Sequence, residues 1–343
     1  MNKNKEKGNI LEESIRHFFL SEGFYVVRGI ILSIDTDTIT DIDLLLFKKI
    51  SPLVRNKANV DIRNRKRPQT FERMLWTSGI KSLLGYDNCY LVSTEARPSM
   101  FRFAKNHGIS LIAEPLTSYI ENKYKKENLR LSEEEFCEKI RLISEQDQKE
   151  ITSFKIYTYC REILPHEFNF DNLNQILNQI KEIFNLYIIQ NKSENTVRVL
   201  YLTVSFFLLI LDFILKDFYS LGKDDSSKQL SSIIRFGNNG KKQSELMLNR
   251  MTKLFNTISN SVQPELFDTV REKANDQWNK IPAEIISDFY TQEIHKNAIF
   301  DYAITFENLA YSTNLKTLSE LTPNQKSILY NLCDFLNIDR KKM

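Results

Sequence analysis

Glycine is scarce in this chain, nine among 343 residues, and six of the nine fall before residue 109. That scarcity excludes collagen-like and glycine-rich low-complexity chains, and 42% hydrophobic with 27% charged residues excludes disorder. Cysteine is equally thin. Cys89, Cys137, Cys160 and Cys333 lie far apart with no Cys-x-x-Cys pair, so neither a disulfide framework nor a zinc site is expected. Charge of one sign is missing too: 47 basic against 44 acidic residues leave +3, which gives the chain as a whole no pull toward polyanions. The opening MNKNKEKGN lacks the apolar core of a signal peptide, and the reading is a reduced, cytoplasmic protein. One long apolar run, 199–215, contains Thr203, Ser205 and Asp212, and it reads as a buried core helix rather than a membrane span.

What is present divides the chain. Up to residue 115 the pattern is a helix with Leu11, Ile15, Phe18 and Phe19 on one face, then three strand-like runs, 24–32, 38–47 and 53–63. A helix opened by Pro68 and closed by Gly85, a strand at 89–94, a short helix and a strand at 109–113 follow. This order predicts a mixed-sheet α/β N-terminal domain over 1–115, followed by an all-α domain over 116–343. Helices are expected at 116–127, 132–146, 148–162, 171–190, 194–218, 243–260, 264–279, 282–312 with a break, and 323–337. Between them, LGKDDSSKQ and RFGNNGKKQ read as a loop region. GNNGKK lacks the spacing and the preceding strand of a phosphate loop.

Asp43 is the anomaly in the first part, a carboxylate within the run Ile42 to Phe47. Burying it uncompensated would cost several kcal/mol on the order usual for ions, so it needs a basic side chain or a metal. Asp61 and Arg63 share one face of the next strand, and carboxylates on neighbouring strands can hold a hard divalent ion through oxygen. Between Lys48 and Arg73 stand nine basic and two acidic residues, a local charge of +7 that suits a phosphate backbone. Internal pairing of Asp43 with Arg63, without metal, is the plainer alternative.

The segment KGNILEESIRHFFLSEGFYVVRG, with DIDLLLF and VDIRNRKRP after it, resembles the PD-(D/E)XK (restriction-endonuclease-like) nuclease superfamily, particularly its archaeal Holliday-junction resolvase and Mrr-like branches. The likeness covers residues 7–114. It implies a restriction-endonuclease-like mixed sheet flanked by helices, and a Mg²⁺ (or Mn²⁺) ion held by Asp43, Asp61, the carbonyl of Ile62 and Glu12, with Glu13 the neighbouring candidate. It also implies a metal-dependent endonuclease hydrolysing phosphodiester bonds, DNA favoured, in the setting of bacterial restriction or phage defence. Arg63 stands where the family carries its catalytic lysine. A guanidinium cannot act as a base but can hold water or steady developing charge. Lys66 falls on the opposite strand face by simple alternation, so it replaces the lysine only if the strand twists or ends first. Nucleic-acid contacts are expected from Arg55, Lys57, Arg65, Lys66, Arg67, Gln69 and Arg73.

Two further readings accompany this one. The first keeps the fold and the basic patch but not catalysis, giving a nuclease-fold protein that binds nucleic acid or a protein partner. In either case the helical domain is expected to serve recognition, assembly or partner binding, through a homodimer or a protein partner. In the second, Arg161 and His166 match the Arg-x4-6-His spacing of helical HEPN ribonucleases, yet Arg102 and His107 match it equally, and Pro165 interrupts the first pair.

Overall fold

The structure, a computed structural model, describes the chain except residues 1–2, 35–36, 64–68, 125–128, 142–151, 191, 239 and 259–263, and its side chains except also 3–7, 34, 255–258 and 264–268. Helix α1 (Lys3–Ser21) leads into strands β1 (Tyr25–Ile34), β2 (Asp37–Lys49) and β3 (Arg55–Arg63). Helix α2 (Thr70–Leu84), β4 (Asn88–Ser93), α3 (Pro98–Asn106) and β5 (Ser110–Ile112) follow. The strands lie in the order β1-β2-β3-β4-β5, antiparallel across the first two junctions and parallel across the last two. The expected mixed sheet with flanking helices is therefore present. Among the described residues the elements after it are helices: α4 (Leu116–Tyr124), α5 (Glu133–Arg141), α6 (Ser153–Ile163), α7 (Phe170–Ile189), α8 (Glu194–Leu215), α9 (Lys223–Phe236), α10 (Gly240–Ile258), α11 (Pro264–Lys280), α12 (Ala283–Tyr290), α13 (Glu293–Tyr311) and α14 (Pro323–Phe335).

By compactness the chain forms two units made of separated stretches. The first comprises Met1–Glu167, Glu182–Phe206 and Ala303–Leu315, the second Phe168–Lys181, Phe207–Tyr302 and Lys316–Met343. Neither ends at residue 115, because the segments that follow the sheet are compact with it.

In the first unit the two faces of the sheet are covered by different helices, which is why β2 runs apolar without alternation. Leu44, Leu46, Ala58, Val60, Ile62 and Val92 pack with Leu11, Ile15 and Phe19 of α1 and Ile120 of α4. Cys89 and Leu91, on the other face, pack with Met74 of α2 and Met100 and Ala104 of α3. Glycine 23 ends α1 at φ 77, a left-handed turn that only glycine adopts without strain, and the Lys48 ammonium donates to the Glu22 carbonyl there at 2.8 Å.

The helices beyond the sheet join it through buried charge. Arg16, wholly buried, points Nη1 at Glu13 (3.4 Å) and Glu133 (3.5 Å) and Nη2 at Glu307 (3.2 Å). Arg130 also pairs with Glu307, and Arg161 with Glu133, while Arg161 Nη2 donates to the Gly29 carbonyl at 2.6 Å. Tyr311 donates to Glu133 at 2.7 Å. Burial alone would raise the Glu133 pKa, but Arg161 and Arg16 bring it down to about 2.

The expectation of a loop over LGKDDSSKQ is corrected: α9 occupies 223–236. Asp224 and Asp225 lie in its first turn, where they complement the helix dipole, and Leu230 and Ile234 supply the buried stripe that the Ser and Asn content masks. The apolar helix at 194–218 is long enough to cross a membrane by length and composition, yet 89% of its most apolar window is buried, as a core helix would be.

Arg16→Met removes the shared partner of the buried Glu133 and Glu307 and of the partly buried Glu13. Its expected consequence is a loss of about 3–5 kcal/mol for the first unit, read as a lowered urea midpoint. An unchanged midpoint would show that the network contributes nothing to folding.

Candidate functional site

Alternation along β2 and β3 sets the candidate residues. Because Leu44, Leu46, Val60 and Ile62 turn toward α1, Asp43, Asp61 and Arg63 turn toward the face that α2 covers. The register that pairs Leu44 with Val60 carries Asp43 to the neighbourhood of Asp61. Asp61 is 7% exposed and is held by two guanidinium forks. Arg63 donates from Nε to Oδ2 at 3.1 Å and from Nη2 to Oδ1 at 2.8 Å. Arg73, from the first turns of α2, donates from Nε to Oδ2 at 3.1 Å and from Nη2 to Oδ1. A carboxylate offers about four lone-pair directions, so these four N–H groups saturate it. Both arginines keep 22% of their side-chain surface exposed, and the Arg73 guanidinium lies over the Trp76 ring at 5.5 Å.

Asp43 is poorly compensated. The Ile62 N–H donates to its Oδ2 at 2.6 Å, and no bond to Oδ1 exists among the described residues. Burial pushes its pKa up to about 7; the Ile62 bond opposes this, and the carboxylates of Asp61 and Glu12 add to it, with Arg63 acting against them. The plainer alternative of an Asp43–Arg63 pair is not what forms, since Arg63 is spent on Asp61.

Glu12 belongs to a different constellation. Arg28 of β1, on the α1 side of the sheet, donates to its Oε2 from Nε (2.9 Å) and Nη2 (2.7 Å). The same guanidinium binds Glu13 Oε1 (2.8 Å) and Glu134 Oε2 (2.7 Å). Glu13, the neighbouring candidate, also accepts the Glu133 N–H at 3.0 Å. Alternation therefore separates Glu12 from the Asp43 and Asp61 side chains, although its charge is close enough to raise Asp43.

The basic patch is largely committed inside the fold. Arg55 Nη1 donates to the carbonyls of Ser51 (2.6 Å), Pro52 (3.3 Å) and Val54 (3.2 Å) and closes the β2–β3 turn. Lys57 donates to the carbonyls of Pro165 (3.0 Å) and His166 (2.6 Å) beside the rings of Phe47 and Tyr86, and burial pushes its pKa down to about 7. Both side chains are thus engaged with backbone carbonyls of the fold. Gln69 is exposed as the N-cap of α2, at φ 48, and makes no side-chain cap. Arg65, Lys66 and Arg67 lie outside the described residues. Sequence reasoning found Arg63 beside Asp61 but missed Arg73 and Arg28 as clamps. The clue was available only as two arginines near an unmatched carboxylate.

The rival Arg161–His166 pair is also resolved. Arg161 is spent on Glu133, Tyr157 and the carbonyls of Arg28 and Gly29, and what His166 contributes is a carbonyl for Lys57.

The donor set expected to hold Mg²⁺ or Mn²⁺ does not fit an ion as it stands. Asp61 has no lone pair left, Glu12 is held by Arg28, and among the described residues no group of three or more His, Cys, Asp or Glu could hold a metal. The arrangement instead offers two partly exposed, preorganised guanidinium planes beside a carboxyl group that titrates near neutrality.

A carboxyl pKa raised in the folded state stabilises the protonated fold, and that contribution is lost as pH rises through the folded value. Asp43→Asn is therefore expected to melt above the wild type by a margin that grows from pH 4 to pH 7. Thermal melts across that window check it, and a margin independent of pH would refute the burial of a titrating Asp43.

No family model, curated protein or solved structure matches the chain.

Proposed function

We propose that the sheet of the first unit is a nucleic-acid-binding module on a restriction-endonuclease-like frame, in which Arg63 and Arg73 receive the phosphodiester and Asp61 holds them in place. The observation that carries this reading is the doubly clamped Asp61, with an arginine at the position where the family resemblance implies the catalytic lysine. Guanidinium forks suit the bidentate recognition of phosphate oxygens, and a buried carboxylate beneath them fixes their direction. The order of helix, three strands, helix and strand supports the frame. Catalysis is not needed for this role, and the basic side chains of Arg65, Lys66 and Arg67 follow directly in sequence.

One observation favours a second reading, the metal-dependent endonuclease of restriction or phage defence. Asp43 keeps an oxygen unbonded among the described residues and stands beside Asp61. Hydrolysis would require an arginine to leave Asp61 when substrate arrives.

Fluorescence anisotropy with labelled DNA and RNA tests binding. Arg63→Ala and Arg73→Ala each leave Asp61 one guanidinium, and each is expected to weaken binding several-fold and to lower the slope of log affinity against log salt by about 0.7–0.9. Absence of binding to any oligonucleotide at low salt sinks the proposal. Cleavage that needs Mg²⁺ or Mn²⁺ and is lost in Asp43→Asn puts the second reading in its place.

A further inference from the structure

With Arg55 and Lys57 spent on carbonyls, the unengaged cations of this sheet face have to be sought elsewhere, and helix α3 carries two. Met100 and Ala104 are buried against the sheet, and the half-buried Phe103 meets Phe71 at 5.4 Å and His107 at 4.3 Å. The opposite side of the helix bears Phe101, Arg102 and Lys105, which share it at spacings of three and four residues. Phe101 is 46% exposed, a large apolar ring in water on a nine-residue helix. Arg102 and Lys105 are exposed and make no hydrogen bond or ion pair among the described residues. No acidic residue occurs from Ala96 to Ala113, so nothing nearby in sequence neutralises them. Arg97, one turn earlier, is by contrast paired with Glu95 at 2.8 Å.

From this juxtaposition we propose that the outer face of α3 binds single-stranded nucleic acid, Phe101 stacking on an unpaired base while Arg102 and Lys105 meet the flanking phosphates. The inference rests on the nucleic-acid-binding reading above and adds a strand class to it. An exposed ring flanked on one side by two cations that have no partner among the described residues complements a strand with free base faces and a charged backbone. A duplex hides its base faces in its own stack, so Phe101 gains nothing from it, whereas the two cations serve either form. The charge complementarity is local: α3 and its flanks are basic, while the chain as a whole is close to neutral.

Phe101→Ala and Arg102→Ala/Lys105→Ala, in the full chain, test this with a labelled oligothymidylate and with a blunt duplex of the same length. Phe101→Ala is expected to weaken oligothymidylate binding by about tenfold and duplex binding by less than about twofold. The double variant should lower the single-strand salt slope by about 1.4, at roughly 0.7 per phosphate. These residues are exposed, and circular dichroism with melting confirms the fold of each variant. If the wild type binds oligothymidylate and Phe101→Ala binds it equally well, the assignment to α3 is overturned while the wider reading stands. Equal losses on both probes overturn the stacking role and with it the strand class. Failure of the wild type to bind any nucleic acid overturns the wider reading and this one with it.

Discussion

Charge buried under a two-sided sheet has to be neutralised where it stands, and in this protein guanidinium groups do it. Arg16 and Arg28 hold Glu12, Glu13, Glu133, Glu134 and Glu307 on the α1 side, and Arg63 and Arg73 hold Asp61 on the α2 side. An isolated carboxylate in either place would cost several kcal/mol on the scale of buried ions, and removing one partner exposes that whole penalty. The same residue type thus closes the fold on one face and shapes the candidate binding surface on the other.

That division explains the electrostatics of the site. Where two forks meet one carboxylate, the cations are fixed in direction and still partly open to water, and the carboxylate has no lone pair left over. Asp43 has no such partner. The backbone N–H of Ile62 at 2.6 Å and the more distant charge of Arg63 only partly offset its burial and the neighbouring carboxylates of Asp61 and Glu12, which leaves its pKa raised to about 7. Chemistry at this place is governed by how many donors each carboxylate has, more than by how many carboxylates are near one another.

Much of the frame was legible in the sequence, because the sheet depends on local signals. The apolar run of β2 announced a strand covered on both faces, Gly23 and Gly85 announced helix ends, and Asp43 announced itself by being out of place. Alternation placed Asp61 with Arg63 correctly. What escaped was non-local. Arg73 reaches Asp61 from another element, twelve residues away, and Arg28 reaches Glu134 across 106 residues, distances over which periodicity carries no information. Basic charge between Lys48 and Arg73 was counted as surface charge, yet Arg55 and Lys57 are consumed by backbone carbonyls. Composition records how much charge there is and not which way it points. Helix α9 was hidden for a related reason, since its serines and asparagine-rich flank outweighed two buried aliphatics in the count.

Arg28 has a consequence for modularity. Its guanidinium rises from β1, yet the carboxylates that satisfy it come from both α1 and α5, and Arg161 of α6 binds the carbonyls of Arg28 and Gly29. The neighbouring strand residue Tyr25 bonds Ser205 of α8 at 2.8 Å. A fragment ending at residue 115 would retain every strand and still lose the groups that make its buried polar atoms tolerable. The sheet is therefore not a transplantable cassette, and a change at Glu134 of α5 or Arg161 of α6 acts on Arg28 and through it on Glu12.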